Sequence, residues 1–360
     1  MRRGLCGAGM EGHSNPRSDT EYRKIAKALT GWYAGSKREL PWRIDRDPYK
    51  VWVSEIMLQQ TRVEAVIGYF LRFMDLFPTV RELAAAAEQE VLKCWEGLGY
   101  YSRARHMHRA AKMIASQFDG IFPGDIEGIR SLPGVGPYTA GAIASIAYDL
   151  PEPAVDGNVL RVISRLDAIE TDVLLPAAKA DVTRRVRAMF NPGGANALTQ
   201  GLMELGALTC LPGKPQCGEC PLTKYCRAYA SGRQEELPVR SPRKKQRVRR
   251  LRAGLFACGD GVLIAQRPQK GLLANLWEFP LVEKDDLSEM RTAYRDVYGI
   301  DISSAEKTGH VRHVFTHLIW EVDVYAGAAE MRSERCKAVP PDELDQYPMP
   351  AVFQKMKQWL

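Results

Sequence analysis

The chain is expected to fold as an all-α N-terminal region over residues 19–230, joined by a basic linker to a small α+β domain over residues 253–360. Three features point there. Between residues 19 and 230, Pro and Gly recur at intervals suited to short helices (Pro48, Pro78, Gly97, Pro123, Pro133, Pro151, Pro192, Pro212), and no β-alternation of useful length is present. Residues 231–252 hold Pro238, Pro242 and the run Arg243-Lys244-Lys245, a linker composition. Beyond them, the apolar runs Leu255-Phe256-Ala257-Cys258 and Val262-Leu263-Ile264-Ala265 flank Gly259-Asp260-Gly261, a hairpin signature.

Taken in order, Asp19-Thr20-Glu21 can cap a helix running through Trp32, and residues 80–95, rich in Ala, Glu and Leu, predict another. In the second domain, residues 287–298 predict a helix and residues 311–325 a strand. Residues 1–18 carry Arg2 and Arg3 without a continuous apolar core; they read as a disordered tail rather than a signal peptide, and a cytoplasmic protein is expected. No apolar run approaches the ~20 residues of a membrane-spanning helix. At 360 residues the chain can bury two cores.

The net charge of +7 is localised. Residues 233–252 hold nine Lys or Arg against two Glu, so the remainder is balanced. Such a run is usually a solvated linker; phosphate contact gains weight only beside other signs of DNA binding.

The segment Ser131-Leu132-Pro133-Gly134-Val135-Gly136-Pro137-Tyr138 precedes a small-residue helix. Gly134 and Gly136 permit a tight turn and close approach of the backbone to a ligand, and Pro137 suits the first helical turn. Free N–H groups at that helix start attract an anion. The pattern matches a helix-hairpin-helix, which holds DNA phosphate without reading sequence; an ordinary Gly-Pro turn between helices would look the same. Further on, Asp156 stands where a helix starts and needs no role beyond capping it.

Cys210, Cys217, Cys220 and Cys226 place four thiols within seventeen residues, whereas Cys6, Cys94, Cys258 and Cys336 are scattered. Four clustered thiolates suit tetrahedral zinc or a [4Fe–4S] cluster, and the ligand set does not choose between them. Glu55 lies among Val51, Trp52, Val53, Ile56 and Met57, where an unpaired carboxylate is costly; burial should raise its pKa and keep it protonated. A Glu held by a nearby Arg is the structural alternative.

With these motifs in hand, the chain resembles the helix-hairpin-helix DNA glycosylases, and within them the adenine DNA glycosylases of the MutY type. The 6-2-5 cysteine spacing, Leu40-Pro41-Trp42-Arg43, the stretch from Asp47 through Glu55 to Gln59-Gln60-Thr61, and Gly97-Leu98-Gly99-Tyr100-Tyr101-Ser102-Arg103 carry the resemblance. It implies a [4Fe–4S] cluster on the four cysteines, with the loop around Lys214 shaped for DNA. It makes Glu55 the general acid and Asp156 the group that stabilises cationic sugar, with Tyr138 and Asn158 holding the site. Trp42, Arg43, Leu58, Val63 and Glu204 are then expected to line an adenine pocket. Gln60, Thr61, Leu98 and Tyr100 would enter the duplex around the lesion, with Gly134 and Gly136 on phosphate.

Lyase relatives carry a lysine where this chain has Tyr138, so no imine route is expected. Gly271-Leu272-Leu273-Ala274-Asn275-Leu276-Trp277-Glu278-Phe279-Pro280 resembles the entry segment of a Nudix fold, but residues 290–299 lack the paired glutamates that would hold Mg²⁺. The resemblance makes this domain a reader of 8-oxoguanine through Phe315, Thr316 and His317, with Thr316 where the family often has serine. The expected partner is double-stranded DNA with adenine opposite 8-oxoguanine or guanine, bound by a monomer in the cytoplasm, at the nucleoid, away from membranes.

Overall fold

The structure is a computed structural model that describes residues 17–242, 245–283 and 287–360. The tail expected over residues 1–18 lies outside the described residues up to residue 16. Arg17 and Ser18 are already part of the fold: Arg17 pairs with buried Asp167 at 2.6 Å, and Ser18 caps the first helix in a reciprocal capping box with Glu21.

Among the described residues, twelve α-helices run through the first part of the chain: α1 (Asp19–Ser36), α2 (Pro48–Leu58), α3 (Val63–Leu76), α4 (Val80–Ala85), α5 (Glu88–Cys94), α6 (Ser102–Gln117), α7 (Ile126–Ser131), α8 (Pro137–Tyr148), α9 (Gly157–Leu166), α10 (Pro176–Met189), α11 (Ala195–Leu208) and α12 (Arg227–Ala230). The single helix expected over residues 80–95 is two. Glu90 turns its carboxylate back to accept the N–H of Ala87 at 2.7 Å, restarting the helix after Ala86 leaves it with extended backbone.

By its contacts the chain forms two compact units, one made of the residues up to Gln60 with Met113–Pro242, the other of Thr61–Lys112 with Arg243–Leu360. In the first unit, Tyr22, Ile25 and Leu29 of α1, Val159 and Ile163 of α9, Val182 of α10, and Leu202 and Leu205 of α11 share one core. Residues 233–241 lie along this unit, with Leu237 buried and its carbonyl accepting from Arg165 at 2.8 Å.

In the second unit α3–α5 bury Phe70, Phe73, Leu83, Val91 and Trp95. Among the described residues seven strands follow: β1 (Arg247–Cys258), β2 (Gly261–Gln266), β3 (Trp277–Glu278), β4 (Leu281–Val282), β5 (Ile300–Val314), β6 (Leu318–Met331) and β7 (Cys336–Val339), with α13 (Leu287–Tyr298) before β5 and α14 (Ala351–Gln354) near the end. The sheet order is β3-β2-β1-β6-β5, with β4 beside β1 and β7 beside β2; β1 and β6 are parallel. Leu251, Ala253 and Leu255 face one core with Phe353 and Met356, while Phe256 faces the other with Met290 and Tyr294 of α13, the two-residue period of a strand covered on both faces.

The hairpin closes as expected, Ala257 opposite Val262 and Cys258 opposite Gly261, with Gly259 at φ 58°. Two expectations change. The strand expected over residues 311–325 is a hairpin, since β5 ends at Val314 and β6 starts at Leu318, leaving Phe315, Thr316 and His317 as its turn. The basic linker is strand from Arg247 onward, because β1 extends to pair with the start of β6.

Candidate active site

Asp47 caps α2 by accepting the N–H of Tyr49 at 2.9 Å, and Pro48 occupies the first turn. Every residue from Val51 to Met57 is buried, so α2 is a core helix and Glu55 goes inside with its neighbours. Glu55 is 6% exposed. Its Oε2 accepts the hydroxyl of Tyr138 at 2.6 Å, so the structural alternative of an arginine-held glutamate gives way to a tyrosine-held one. Burial pushes the Glu55 carboxyl up; the Tyr138 hydrogen bond lowers it, nearby Asp156 raises it and Arg43 lowers it, leaving it at about 7.

Tyr138 stands in the first turn of α8, which follows the hairpin glycines. Gly134 has φ 79°, the left-handed conformation a non-glycine residue would resist, and Gly136 caps α8 with open space at its missing Cβ. Burial, then the charges of Glu55 and Asp156, hold the Tyr138 hydroxyl far above its usual pKa, so it stays a hydrogen-bond donor. Gln59 ties the end of α2 to α8 through Thr139 Oγ1 at 3.1 Å. On the other side of α8, a Cβ on Gly141 would lie 2.2 Å from the carbonyl of Pro153. That contact presses α8 against the segment leading to Asp156.

Asp156 does cap α9, accepting the Val159 N–H on Oδ1 at 2.7 Å, while its Oδ2 accepts from Asn158 Nδ2 at 2.9 Å. Capping and chemistry are therefore not rivals at this position. Burial raises its pKa against the opposing pull of those hydrogen bonds and of Arg161.

Glu204, on α11, is 1% exposed and surrounded by arginine. Arg38 donates Nε at 2.8 Å, Nη2 at 2.9 Å and its backbone N–H at 2.9 Å, and Arg43 donates Nη2 at 2.8 Å. Burial opposes ionisation, but these donors outweigh it and hold the carboxyl at about 2. Trp42 is buried and Leu58 half-buried in the same unit; Val63 and Thr61 belong to the other. Gln60 is exposed with φ 59°.

In the second unit the turn before α6 holds Leu98, which is 7% exposed and thus packed, and Tyr100, which is 43% exposed with φ 50°. The Tyr100 hydroxyl lies 2.8 Å from Thr316 Oγ1, so two residues expected to touch the lesion meet; Phe315 packs edge-on to Trp320 and to His313.

Cys210, Cys217, Cys220 and Cys226 all line one cavity, together with Val162, Leu166 and Leu205. Burial pushes the thiols of Cys217, Cys220 and Cys226 up, Cys220 to about 11, so a cationic centre is needed to hold them as thiolates. Such a pocket of four soft ligands fits an iron–sulfur cluster.

Sequence reasoning missed the arginines that brace this region. Arg161 donates Nε to the carbonyl of Cys210 at 2.7 Å, and Nη2 both to Gly206 at 2.7 Å and to Asn158 Oδ1 at 2.9 Å; Arg165 reaches Cys210 Sγ at 3.3 Å. Their four-residue spacing on α9, one face down from Asn158, was the available signal.

Comparison with known proteins agrees with this geometry. A family described as "HhH-GPD superfamily base excision DNA repair protein" matches residues 53–190, "Iron-sulfur binding domain of endonuclease III" matches 210–226, and "NUDIX domain" matches 252–359. The adenine DNA glycosylase of Rattus norvegicus is 35% identical, with 87% of this chain and 72% of that protein covered; that of Schizosaccharomyces pombe is 33% identical, with 83% and 80% covered. Among solved structures, a thermostable thymine-DNA glycosylase is 26% identical with a TM-score of 0.55, covering 60% of this chain and 100% of its own. A noncovalent endonuclease III–DNA complex, 22% identical over 60% of this chain and 98% of its own with a TM-score of 0.51, shares the fold. A helix-hairpin-helix scaffold, an iron–sulfur loop and a Nudix-like sheet in one chain, matched along most of its length by enzymes of one activity, place this protein in the adenine DNA glycosylase family.

Proposed function

We propose that this enzyme excises adenine mispaired with 8-oxoguanine, and with guanine, by hydrolysis of the N-glycosidic bond without strand cleavage. The observation that carries the proposal is the trio Glu55, Tyr138 and Asp156: an acid poised at about 7, donated to by a tyrosine, with a second carboxylate close enough to raise its pKa. Glu55 gives its proton to the flipped purine at N7 and makes it a leaving group. As the C–N bond breaks, positive charge develops on the sugar, and Asp156, oriented by Asn158 and the Val159 N–H, stabilises it. Water then adds at the sugar carbon and loses a proton, which restores the acid form of Glu55. Tyr138 offers no amine, so the sugar is not captured as an imine.

Trp42, Arg43, Leu58 and Glu204 form the adenine pocket; with its oxygens taken by Arg38 and Arg43, Glu204 acts there by holding Arg43 in place. Gly134 and Gly136 bring backbone N–H groups to phosphate. Gln60, Thr61, Leu98 and Tyr100 work at the helix stack, and Phe315, Thr316 and His317 read 8-oxoguanine. The four cysteines would hold a [4Fe–4S] cluster, whose charge would keep their sulfurs ionised and order the loop around Lys214. The protein acts as a monomer on nucleoid DNA in the cytoplasm.

Single-turnover excision on duplexes with adenine opposite 8-oxoguanine, guanine and thymine tests the proposal. Rates should fall in that order; equal rates on all three would overturn the lesion assignment.

A further inference from the structure

The turn that carries Leu98 and Tyr100 is held in an unusual shape. Gly97, Gly99 and Tyr100 all have positive φ (91°, 75° and 50°), and Tyr100 pays for the left-handed region with a side chain. Four side chains surround the turn. Tyr69 donates to the carbonyl of Glu96 at 2.9 Å, and Trp95 Nε1 donates to that of Gly99 at 3.0 Å. Tyr101 accepts the Gly97 N–H at 3.2 Å. Arg103 does the most. Its Nη2 donates to the Gly99 carbonyl at 3.1 Å, with longer contacts of 3.4 Å to the Leu98 carbonyl and to Thr61 Oγ1. Its guanidinium carbon lies 5.4 Å from the ring centroid of Trp95 and 5.3 Å from that of Tyr100.

A surface arginine available for phosphate would be exposed; Arg103 is 9% exposed, and its charge faces rings and carbonyls. Burial pulls its pKa down to about 10, which leaves it charged at neutral pH. The turn thus encloses a cation whose Nη2 faces two successive carbonyls while its guanidinium lies within cation–π distance of two aromatic rings. Lysine cannot reproduce that combination.

We propose that Arg103 is a positioning residue for lesion recognition: within cation–π distance of the Trp95 and Tyr100 rings and bonded to the Leu98 and Gly99 carbonyls, it holds Tyr100 in the left-handed conformation that presents its ring to DNA. It touches neither the reacting base nor the sugar. The inference rests on Tyr100 and Leu98 acting at the lesion, and its test separates the two.

The full chain with its cluster is compared as wild type, Arg103→Lys, Tyr100→Leu and Leu98→Ala. The measurements are affinity for a duplex with adenine opposite 8-oxoguanine, affinity for an undamaged duplex, single-turnover excision at saturating enzyme, and fluorescence of 2-aminopurine beside the lesion. Arg103→Lys should lose roughly tenfold in lesion affinity, the size of a buried cation–π contact with its hydrogen bond, and most of the fluorescence rise from unstacking. Undamaged-duplex affinity and saturated excision should stay within about twofold of wild type, a split that general destabilisation does not produce. Equal losses on both duplexes would mark Arg103 as a phosphate contact and overturn the proposal. So would full lesion affinity in Arg103→Lys while Tyr100→Leu loses it. Wild-type behaviour of Tyr100→Leu and Leu98→Ala would instead sink the underlying lesion role. If Arg103→Lys fails to keep its visible cluster absorbance, Arg103→Gln, which retains donors without charge, carries the same comparison.

Discussion

In the proposed reaction Glu55 works as a protonated acid, and its pKa of about 7 fixes the direction of two outcomes. Single-turnover excision should decline as pH rises through about 7, because the proton is lost. It should also decline on the acid side at a pH above the ordinary aspartate range, because burial raises Asp156 and the sugar cation needs its carboxylate. A pH–rate profile flat from 5 to 8 would contradict the role of Glu55. Stability follows the same sign. A carboxyl whose pKa is raised on folding stabilises fully below its unfolded value near 4.5, and that contribution is lost as pH rises through the folded value near 7. Glu55→Gln, which keeps an oxygen for the Tyr138 hydroxyl, should therefore abolish excision with DNA affinity intact. It should also be more stable than wild type at pH 8, by on the order of 3 kcal/mol, with the gap narrowing toward pH 5; paired denaturation curves at the two pH values decide this. Glu204 has the opposite sign. Its pKa near 2 gives stability above about 4.5 that disappears as pH falls through 2, and Glu204→Ala, which strands two arginines, should cost about 3–5 kcal/mol.

Between elements, the site depends on helices brought close by glycine. A Cβ on Gly206 of α11 would lie 2.5 Å from Asn158 Cβ and 3.1 Å from its Cα, so Gly206→Ala must push α9 aside at the turn that carries Asp156 and Asn158. The expected result is a loss of about 1–3 kcal/mol in stability and a larger loss in excision rate than in DNA affinity, read by urea denaturation and single-turnover kinetics. The cysteine loop is the other element that cannot stand alone. Residues 209–226 contain only two short 3₁₀ turns and owe their order to thiols around one cavity and to Arg161 and Arg165. Cys220→Ser should make this loop the first site of limited proteolysis, while α1 and α10, packed in their own core, stay protected.

For the molecule as a whole, the second unit joins α3–α5 and most of α6 to the C-terminal sheet. Glu96 Oε1 accepts the Met349 N–H and Gln354 Nε2, each at 2.7 Å, and Asn275 and Trp277 reach Glu88 and Gln89. Glu96→Ala leaves those donors buried without their acceptor and should lower stability by about 1–3 kcal/mol. Calorimetry should then show the C-terminal sheet melting ahead of the rest; a single unshifted transition would mean these bonds do not couple the two segments. The basic stretch also changes meaning at this scale. Arg233 pairs with Glu170 and Glu236, Arg249 with Glu283, and Arg252 with Asp323, so part of the local positive charge is already neutralised within the protein.

Much of this was legible in the sequence because it is local. Helix α13 spans residues 287–298 as its periodicity predicts, the Gly259-Asp260 hairpin forms where its turn residues stand, and four cysteines at fixed short spacing meet because a short loop can hardly keep them apart. Burial of Glu55 followed from apolar neighbours on every side of one helix. Tertiary structure alone decided that Tyr138, 83 residues away, supplies the hydrogen bond to that acid, that Asp156 lies near enough to raise its pKa, and that Glu204 spends its charge on Arg38 and Arg43. The physical reason is range: caps, turns and periodicity act within a few residues, whereas a pKa is set by whatever charges, donors and low-dielectric packing the folded chain brings within a few ångströms.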